Sequence, residues 1–295
     1  MNITATRFAT KARTWLLIAG LTGLLIAIGG TIGGGFLYIF VGLAVLMNVV
    51  GYWFSDRIAL RASRAQPLEP GQLPKLERMV EDLASRAEVP RPRLFLIPSD
   101  QPNAFATGRN PQHAAVAVTE GLLAHLPDAE VKGVLAHEFG HIKNHDILVS
   151  TIAAMVAGAI SAIASILQFS LLFGGSDDDD SPLSMIGTLA TIILAPIAAM
   201  LLQLAVSRQR EYLADATGAQ LLGHAAPLAD ALGTLERGAE AIPMRVNPAT
   251  ASLYATNPLP RHGIATLFMT HPPTAERIRR LRLLDEEPLM SLAAA

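Results

Sequence analysis

The chain has 295 residues, of which 51% are hydrophobic and only 16% are charged. Soluble domains carry about 25% charged residues, so this balance argues against a soluble protein and indicates a membrane protein. The sequence contains no cysteine, which excludes a disulfide framework and any thiolate metal site. A net charge of −2 gives no reason to expect nucleic acid as a partner.

Three tracts contain no Asp, Glu, Lys or Arg: 14–55, 147–176 and 181–207. A membrane-spanning helix needs about 20 mostly apolar residues, so the first tract is long enough for two spans and each of the others for one. Five glycines within residues 29–35 favour a tight reversal between the first two spans. One long helix with glycines on a packing face remains the alternative for this tract. We therefore predict four transmembrane helices.

The charges beside these tracts indicate the orientation of the chain. Basic residues flank all four spans on one side, which the positive-inside rule assigns to the cytoplasm, whereas loop 174–181 is acidic and contains no basic residue. We therefore predict a cytoplasmic N-terminus at 1–14, a transmembrane hairpin at 15–55, the first part of a cytoplasmic domain at 56–146, a second transmembrane hairpin at 147–206 and the second part of the domain at 207–295. The two parts total about 180 residues, a normal size for one domain.

The first part of the cytoplasmic domain combines helical and strand-like patterns. Apolar residues at helical spacing predict a helix over 72–88, which ends before Pro90. Short strands are predicted at 93–97, 103–107 and 114–119, because turn residues separate these apolar runs.

Helices account for most of the remaining soluble sequence. Pro127, followed closely by acidic residues, predicts the start of a helix that continues into residues 136–146. After the fourth span, the sequence predicts three helices, at 209–222, 227–241 and 274–284. A proline-rich loop is predicted between the second and third of these helices, at 243–260. The predicted fold class is a mainly α integral membrane protein, in which four transmembrane helices carry an α+β cytoplasmic domain with a small β-sheet.

The stretch 136–146, AHEFGHIKNHD, contains the pattern His-Glu-x-x-His. On a helix, residues four apart lie on one face, so His137 and His141 present two imidazoles to one point while Glu138 lies beside them. A catalytic zinc takes three protein ligands, keeps one position open for water, and works with a nearby carboxylate base. The pattern therefore predicts two zinc ligands and the base.

The third ligand has to come from elsewhere in the chain. His145 lies eight residues beyond His137, about 12 Å along a helix axis, so an unbroken helix keeps it from a shared metal, and we predict a solvated or interfacial side chain. The third and fourth predicted spans form an antiparallel hairpin that returns the chain to the same surface just before Glu211. Glu211 is therefore the predicted third ligand, and Asp215, one turn later, is placed to accept the second ring N–H of a ligand histidine. The alternative is that both acids pair with neighbouring arginines or water.

Together these motifs resemble HtpX-type membrane zinc metalloproteases, which are relatives of the type 1 CAAX prenyl proteases. The similarity covers most of the chain, includes the four-span layout, and is carried by residues 137–141, 207–215, 103–108 and 271–273, with Arg277. The resemblance implies a zincin-like protease domain with one zinc ion per chain. It implies that His137, His141 and Glu211 hold the zinc ion. Glu138 would then be the catalytic base.

The resemblance also implies a substrate-binding strand. In that family the strand at 103–108 lies at the edge of the cleft, where a substrate can pair in extended form by adding a strand. The implied substrate-binding residues are Asn103, Ala104, Phe105 and Ala106. On their own, these residues indicate only a short apolar strand before a glycine turn.

A second implied pair lies near the C-terminus. The resemblance implies that His271 and Arg277 lie near the scissile carbonyl and donate hydrogen bonds to the developing oxyanion. Read without the resemblance, the same residues indicate a helix N-terminus followed by an exposed arginine.

The sequence therefore predicts a membrane-anchored zinc endopeptidase that cleaves peptide bonds on the cytoplasmic side of the bilayer. Glu138 would take a proton from the attacking water and pass it to the leaving amine. Because the motif lies next to the third predicted span, we expect protein substrates, chiefly membrane proteins, and the resemblance implies quality control of misfolded ones. The lipid bilayer of a bacterial inner membrane is the other expected partner.

Two other classes of protein are alternatives to this prediction. A catalytically idle membrane scaffold that uses zinc only for stability is the main alternative, although structural zinc sites usually have four protein ligands and no adjacent base. A transporter is disfavoured, because the predicted spans lack the Asp, Glu, Lys or Arg residues that an ion relay uses.

Overall fold

The computed structural model describes residues 36–152, 208–244, 246, 248–258 and 271–293, together with residues 19, 22, 23 and 26. The fourth predicted span and the acidic loop lie outside these residues, and so do most of the first and third spans. The predictions for those segments therefore stay predictions.

Helix α1, Phe36–Ala62, contains the second predicted span and leads into the rest of the described chain. Its exposed side chains include many large apolar ones, among them Tyr38, Val45, Leu46, Val49 and Trp53. Its last turns are different, because Ala59 and Leu60 are buried against the sheet described next. Within the described part of the chain, no helix has the length and apolar character that a membrane crossing requires.

One small sheet contains four strands: β1 (Gln66–Pro67), β2 (Arg93–Ile97), β3 (Ala104–Thr107) and β4 (Ala115–Thr119). Their order across the sheet is β1-β2-β4-β3. β2 and β4 are parallel, whereas β3 pairs antiparallel with β4 and forms an edge of the sheet, with Ala104 opposite Val118. The predicted small sheet is confirmed, and β1 is an addition that the sequence did not predict.

Alternate side chains of these strands pack on opposite sides of the sheet. Ala106 and Val116 belong to the main core, whereas Phe105 and Ala117 belong to a second cluster that includes Tyr254. This division follows from the two-residue period of a strand. Both faces of the sheet are therefore buried, as the alanines and valines of β4 lead one to expect.

The helices that follow α1 include α2 (Pro74–Ala87), α3 (Glu120–His125), α4 (Asp128–Lys143), α5 (Arg208–Leu222), α6 (Ala226–Ala241), α7 (Pro248–Ala251) and α8 (Thr274–Ala293). Two of them were not predicted. The short α3 is capped by Thr119, whose hydroxyl accepts a hydrogen bond from the Leu122 amide at 3.1 Å. The single-turn α7 lies within the proline-rich segment 243–260, which the sequence predicted as a loop.

Helices α4 and α5 pack closely because glycines lie at their contact. A Cβ atom at Gly140 would lie 2.6 Å from the Ala214 carbonyl oxygen, and one at Gly218 would lie 3.0 Å from the His137 amide nitrogen. A larger residue at either position would push the two helices apart. The close approach brings the His-Glu-x-x-His face of α4 against the first turns of α5.

Candidate metal centre

The structure brings His137 and His141 of α4 together with Glu211 of α5. One ligand atom from each residue lies within 4.8 Å of the others. The two Nε2 atoms are 3.1 Å apart, the Glu211 carboxylate is 3.6 Å from His141 Nε2, and it is 3.8 Å from His137 Nε2. Ligands about 2.1 Å from one tetrahedral zinc ion lie about 3.4 Å from one another. The donor set and its spacing therefore fit a metal ion.

Glu138 lies beside this group with only 1% of its surface exposed. Its Oε1 atom has no hydrogen-bond partner among the described residues, and the backbone amide of Ala106 faces its carboxylate. Burial raises the pKa of Glu138 to about 7, although the His141 ring and the Ala106 amide act in the opposite direction. A carboxyl group with this pKa can both accept and release a proton near neutral pH.

Asp215 contacts His137 at Nδ1, whereas His141 and Glu211 lie near the other ring nitrogen, Nε2. One Asp215 oxygen lies 2.9 Å from His137 Nδ1, and the Arg277 guanidinium donates to both Asp215 oxygens, at 2.9 and 2.7 Å. Burial alone would raise the pKa of Asp215, but Arg277 outweighs it and the pKa falls to about 2. Asp215 is therefore ionised and can accept the Nδ1 proton, which leaves His137 Nε2 free for a metal.

His271 and Arg277, which the resemblance paired, both lie beside the same Glu211 oxygen, at 2.9 and 3.9 Å, but their other contacts differ. His271 Nδ1 lies 2.9 Å from a Glu211 oxygen, and its Nε2 is buried without a partner in the described part of the chain. Arg277 is only 2% exposed and also donates to the carbonyl oxygen of Ala255 at 3.1 Å. His271 lines the cavity beside His141 and Glu211. Arg277 instead lies on the Nδ1 side of His137, at 3.3 Å from that nitrogen.

The chain reverses directly after α4. His145 has a φ of 61°, and the next residue, Asp146, donates its amide to the His141 carbonyl oxygen at 3.2 Å. The Asp146 carboxylate lies 3.0 Å from His141 Nδ1. Burial opposes a charge on His141, but Asp146 outweighs it and raises the pKa of His141 to about 10. Asp146 was not predicted as a site residue, and on a continuous helix its side chain would not reach His141.

A small, partly open cavity lies beside His137, His141 and Glu211, and its lining includes Glu138 and His271. Of the four residues predicted to bind substrate, only Ala106 lines it. The Asn103 side chain donates to the Thr256 carbonyl oxygen at 2.7 Å, the Ala104 carbonyl oxygen accepts from the Ala255 amide at 2.9 Å, and Phe105 packs on Tyr254. Part of the β3 edge is thus covered by the chain itself, and a direct substrate contact at these three residues stays a prediction.

Comparison with known proteins is consistent with this site. The sequence model of peptidase family M48 matches residues 70–285. The protease HtpX homolog of Syntrophobacter fumaroxidans is 52% identical over 279 residues, which cover 92% of this chain and 99% of the relative. The corresponding protein of Pelotomaculum thermopropionicum is 50% identical over 276 residues, covering 92% and 98% respectively. A crystal structure of S. mikatae Ste24p is similar over 94% of this chain and 67% of that one, with 24% identity and a TM-score of 0.48.

A histidine pair with an adjacent glutamate on one helix, facing a carboxylate on a second helix, defines a metalloprotease of the His-Glu-x-x-His type. The two relatives are named as proteases, and each matches 92% of this chain. The chain belongs to peptidase family M48. The predicted resemblance to HtpX-type proteases and the predicted enzyme class are confirmed.

Proposed function

We propose that this protein is a membrane-anchored zinc endopeptidase in which His137, His141 and Glu211 hold the zinc ion. The observation that carries the proposal is the convergence of two Nε2 atoms and a carboxylate within 4.8 Å, next to the Glu138 Oε1 atom, which has no partner in the part of the chain that the structure describes. Nitrogen and oxygen donors of this kind, three in number with a base beside them, are typical of catalytic zinc sites.

Bound zinc would supply polarisation of water and of the substrate carbonyl, lowering the pKa of the water toward 7. Glu138 accepts the proton of the attacking water at Oε1 and later gives it to the leaving amine. Its pKa of about 7 suits both transfers. Asp215 and Asp146 keep the two histidine rings oriented through their Nδ1 atoms.

His271 is the better candidate for stabilising the developing oxyanion. Its Nε2 is buried at the cavity without a partner in the described chain, while Nδ1 donates to Glu211. When both ring nitrogens carry a proton, Nε2–H can donate to an oxyanion in the cavity. The shortest hydrogen bonds of Arg277, in contrast, go to Asp215 and to the Ala255 carbonyl oxygen, and Glu211 is further away at 3.9 Å. We therefore assign Arg277 a role in positioning Asp215 and, through it, His137.

Protein substrates would bind in extended form at β3. In an antiparallel pair alternate residues direct their backbone groups away from the partner strand, and in β3 these are Ala104 and Ala106. Ala104 already pairs with Ala255, whereas the Ala106 amide faces Glu138. A peptide that donates an N–H to the Ala106 carbonyl oxygen would therefore lie with its backbone beside the catalytic base.

The membrane anchor, the cytoplasmic orientation and a role in quality control complete the proposal. Three uncharged tracts and the apolar side chains exposed on α1 support anchoring in a bilayer. The basic residues that flank the tracts support a cytoplasmic active site. A cleft directly before the tract at 147–176 would lie near the bilayer surface, which suits cytoplasmic loops of other membrane proteins as substrates.

The direct test compares the wild-type protein with Glu138→Gln, both purified in detergent and loaded with zinc. We expect the wild type to cleave an unfolded protein substrate, and the variant to bind the same amount of zinc with activity reduced at least about 1,000-fold, because the proton acceptor is lost. Glu240→Gln, an exposed substitution on α6, is the matched control and should cleave normally. Zinc binding without cleavage by the wild type would instead indicate the catalytically idle scaffold.

A further inference from the structure

We infer that Asp146 is a positioning residue of the metal centre, which holds the His141 ring so that Nε2 faces the metal. The inference rests on the proposed zinc site and adds a residue to it. The Asp146 Oδ1 atom lies 3.0 Å from His141 Nδ1, and only 1% of the Asp146 surface is exposed. A carboxylate that accepts the Nδ1 proton fixes the ring in the tautomer whose Nε2 carries the free electron pair.

The backbone after α4 makes this contact possible. On a continuous helix Asp146 would lie about 7.5 Å along the axis from His141 and on a different face, too far for a hydrogen bond. The chain instead leaves the helix at Lys143, and His145 adopts the left-handed conformation with a φ of 61°. The chain therefore folds back, and the Asp146 amide donates to the His141 carbonyl oxygen at 3.2 Å. The same residue thus contacts the backbone and the ring of the ligand.

The position of Asp146 is not explained by helix stability. A negative charge next to the C-terminus of α4 opposes the helix dipole. Residues 147–152 are helical, so Asp146 also precedes a helix, where an Asp side chain would normally accept from a backbone amide of the first turn. The Asp146 side chain does not do so, because Oδ1 contacts His141 and Oδ2 has no partner among the residues described.

The charges around the centre point to the same role. Arg277 balances the charge of Asp215, the acid that holds His137. In the described chain no lysine or arginine forms an ion pair with Asp146, and its ionic partner is His141. A metal-bound His141 is neutral, so the charge of the metal would then offset the cost of burying the Asp146 carboxylate. Asp146 is therefore suited to a centre that contains a cation.

The inference is tested by metal affinity rather than by activity. Zinc affinity is measured by chelator competition for the wild type, Asp146→Ala, Asp146→Asn and the exposed control Asp230→Asn, together with thermal unfolding of each protein without metal. We expect Asp146→Ala to bind zinc about 10- to 100-fold more weakly. Asp146→Asn, which keeps an oxygen that can accept the Nδ1 proton, should lose less, about 10-fold or below, and Asp230→Asn should bind as the wild type does.

Two results would overturn the inference. One is wild-type zinc affinity in both Asp146 variants. The other is a loss of affinity that is matched in size by destabilisation of the metal-free protein and restored by Asp146→Ser, since serine would replace a helix cap but not a charged ring acceptor. If the alanine variant does not fold, the asparagine variant carries the comparison. Absence of zinc from the wild type would be a different failure, because it would contradict the proposed zinc site itself.

Discussion

His137 and His141 of α4, the two proposed histidine ligands, are held in different ways. His137 is held by Asp215, which comes from α5 and is itself bound by Arg277 from α8. His141 is held by Asp146, five residues further along the same segment. The first arrangement depends on the packing of three helices, whereas the second depends on one turn of backbone. We therefore expect changes on the His137 side to affect folding and metal binding together, and changes on the His141 side to affect mainly metal binding.

The largest effect on metal binding is expected from Glu211→Ala. Glu211 is the proposed ligand that long-range packing supplies, and its loss leaves two histidines, so zinc affinity should fall at least about 100-fold. Zinc content after dialysis against a chelator measures this loss. Glu240→Ala, at an exposed position of α6, is the control and should keep its zinc. Full occupancy in Glu211→Ala would require another third ligand.

Arg277→Met tests the long-range arrangement through stability. The substitution leaves the Asp215 carboxylate buried without its cation, which typically costs about 3–5 kcal/mol. Chemical unfolding of the metal-free protein measures the change. The control is Arg279→Met, because Arg279 forms only an exposed pair with Glu276, and such pairs contribute about 0–1 kcal/mol. Equal stability of the two variants would contradict the assigned role of Arg277.

The loss of unfolding free energy caused by Arg277→Met should also depend on pH. Asp215 has a pKa of about 2 in the folded protein against 3.8 as its ordinary value, so its ionised form stabilises the fold above about pH 4 and this contribution is lost as the pH falls toward 2. Without Arg277, burial raises the pKa of Asp215, and protonation then relieves the buried charge. The free-energy difference between wild type and variant should therefore shrink between pH 7 and pH 3. A constant difference across that range would contradict this explanation.

The difference between the two sides also shows what the sequence could predict. The positions of His137, Glu138 and His141 follow from helix periodicity alone. The predicted hairpin of two uncharged spans was enough to predict that Glu211 returns to the same surface as the histidines. Asp146 was missed because its contact needs a left-handed residue at His145, and a histidine is not an obvious signal for that conformation.

Contacts between distant segments were the harder part. His271 and Arg277 were predicted to lie together at the substrate. Sequence spacing does not show that Arg277 contacts Asp215 while His271 lines the cavity. In the same way, the sequence of β3 does not show that Ala255 covers one of its two outward-facing residues. These features depend on how α8 and the segment 248–258 pack, which local patterns do not encode.

Gly218→Ala is expected to have an intermediate effect on the packing of α4 and α5. The new Cβ atom would lie 3.0 Å from the His137 amide nitrogen, so α5 has to shift, and overpacking of this kind costs about 1–3 kcal/mol. Zinc affinity should fall with it, because Glu211 moves relative to the histidines. Gly233→Ala is the matched control, since its Cβ would meet only flexible side-chain atoms and alanine favours the helix by up to about 1 kcal/mol. An unchanged zinc affinity in Gly218→Ala would show that the approach of the helices does not set the site.

The smallest effect is expected from His145→Gly. Glycine adopts the left-handed conformation readily, so the turn that places Asp146 should survive and zinc affinity should stay within about twofold of the wild type. His145→Val, which disfavours that conformation, should weaken zinc binding in the same direction as Asp146→Ala. Loss of zinc in the glycine variant would instead indicate that the His145 ring contributes to the site.

The position of the metal is the most direct test of the account. Crystals of the zinc-loaded protein, measured on both sides of the zinc absorption edge, would locate the ion by anomalous scattering. We predict one zinc ion per chain, bound by His137 Nε2, His141 Nε2 and the Glu211 carboxylate, with Glu138 near the remaining position but not bound to the metal. An ion bound by His145, or one bound without Glu211, would contradict the account.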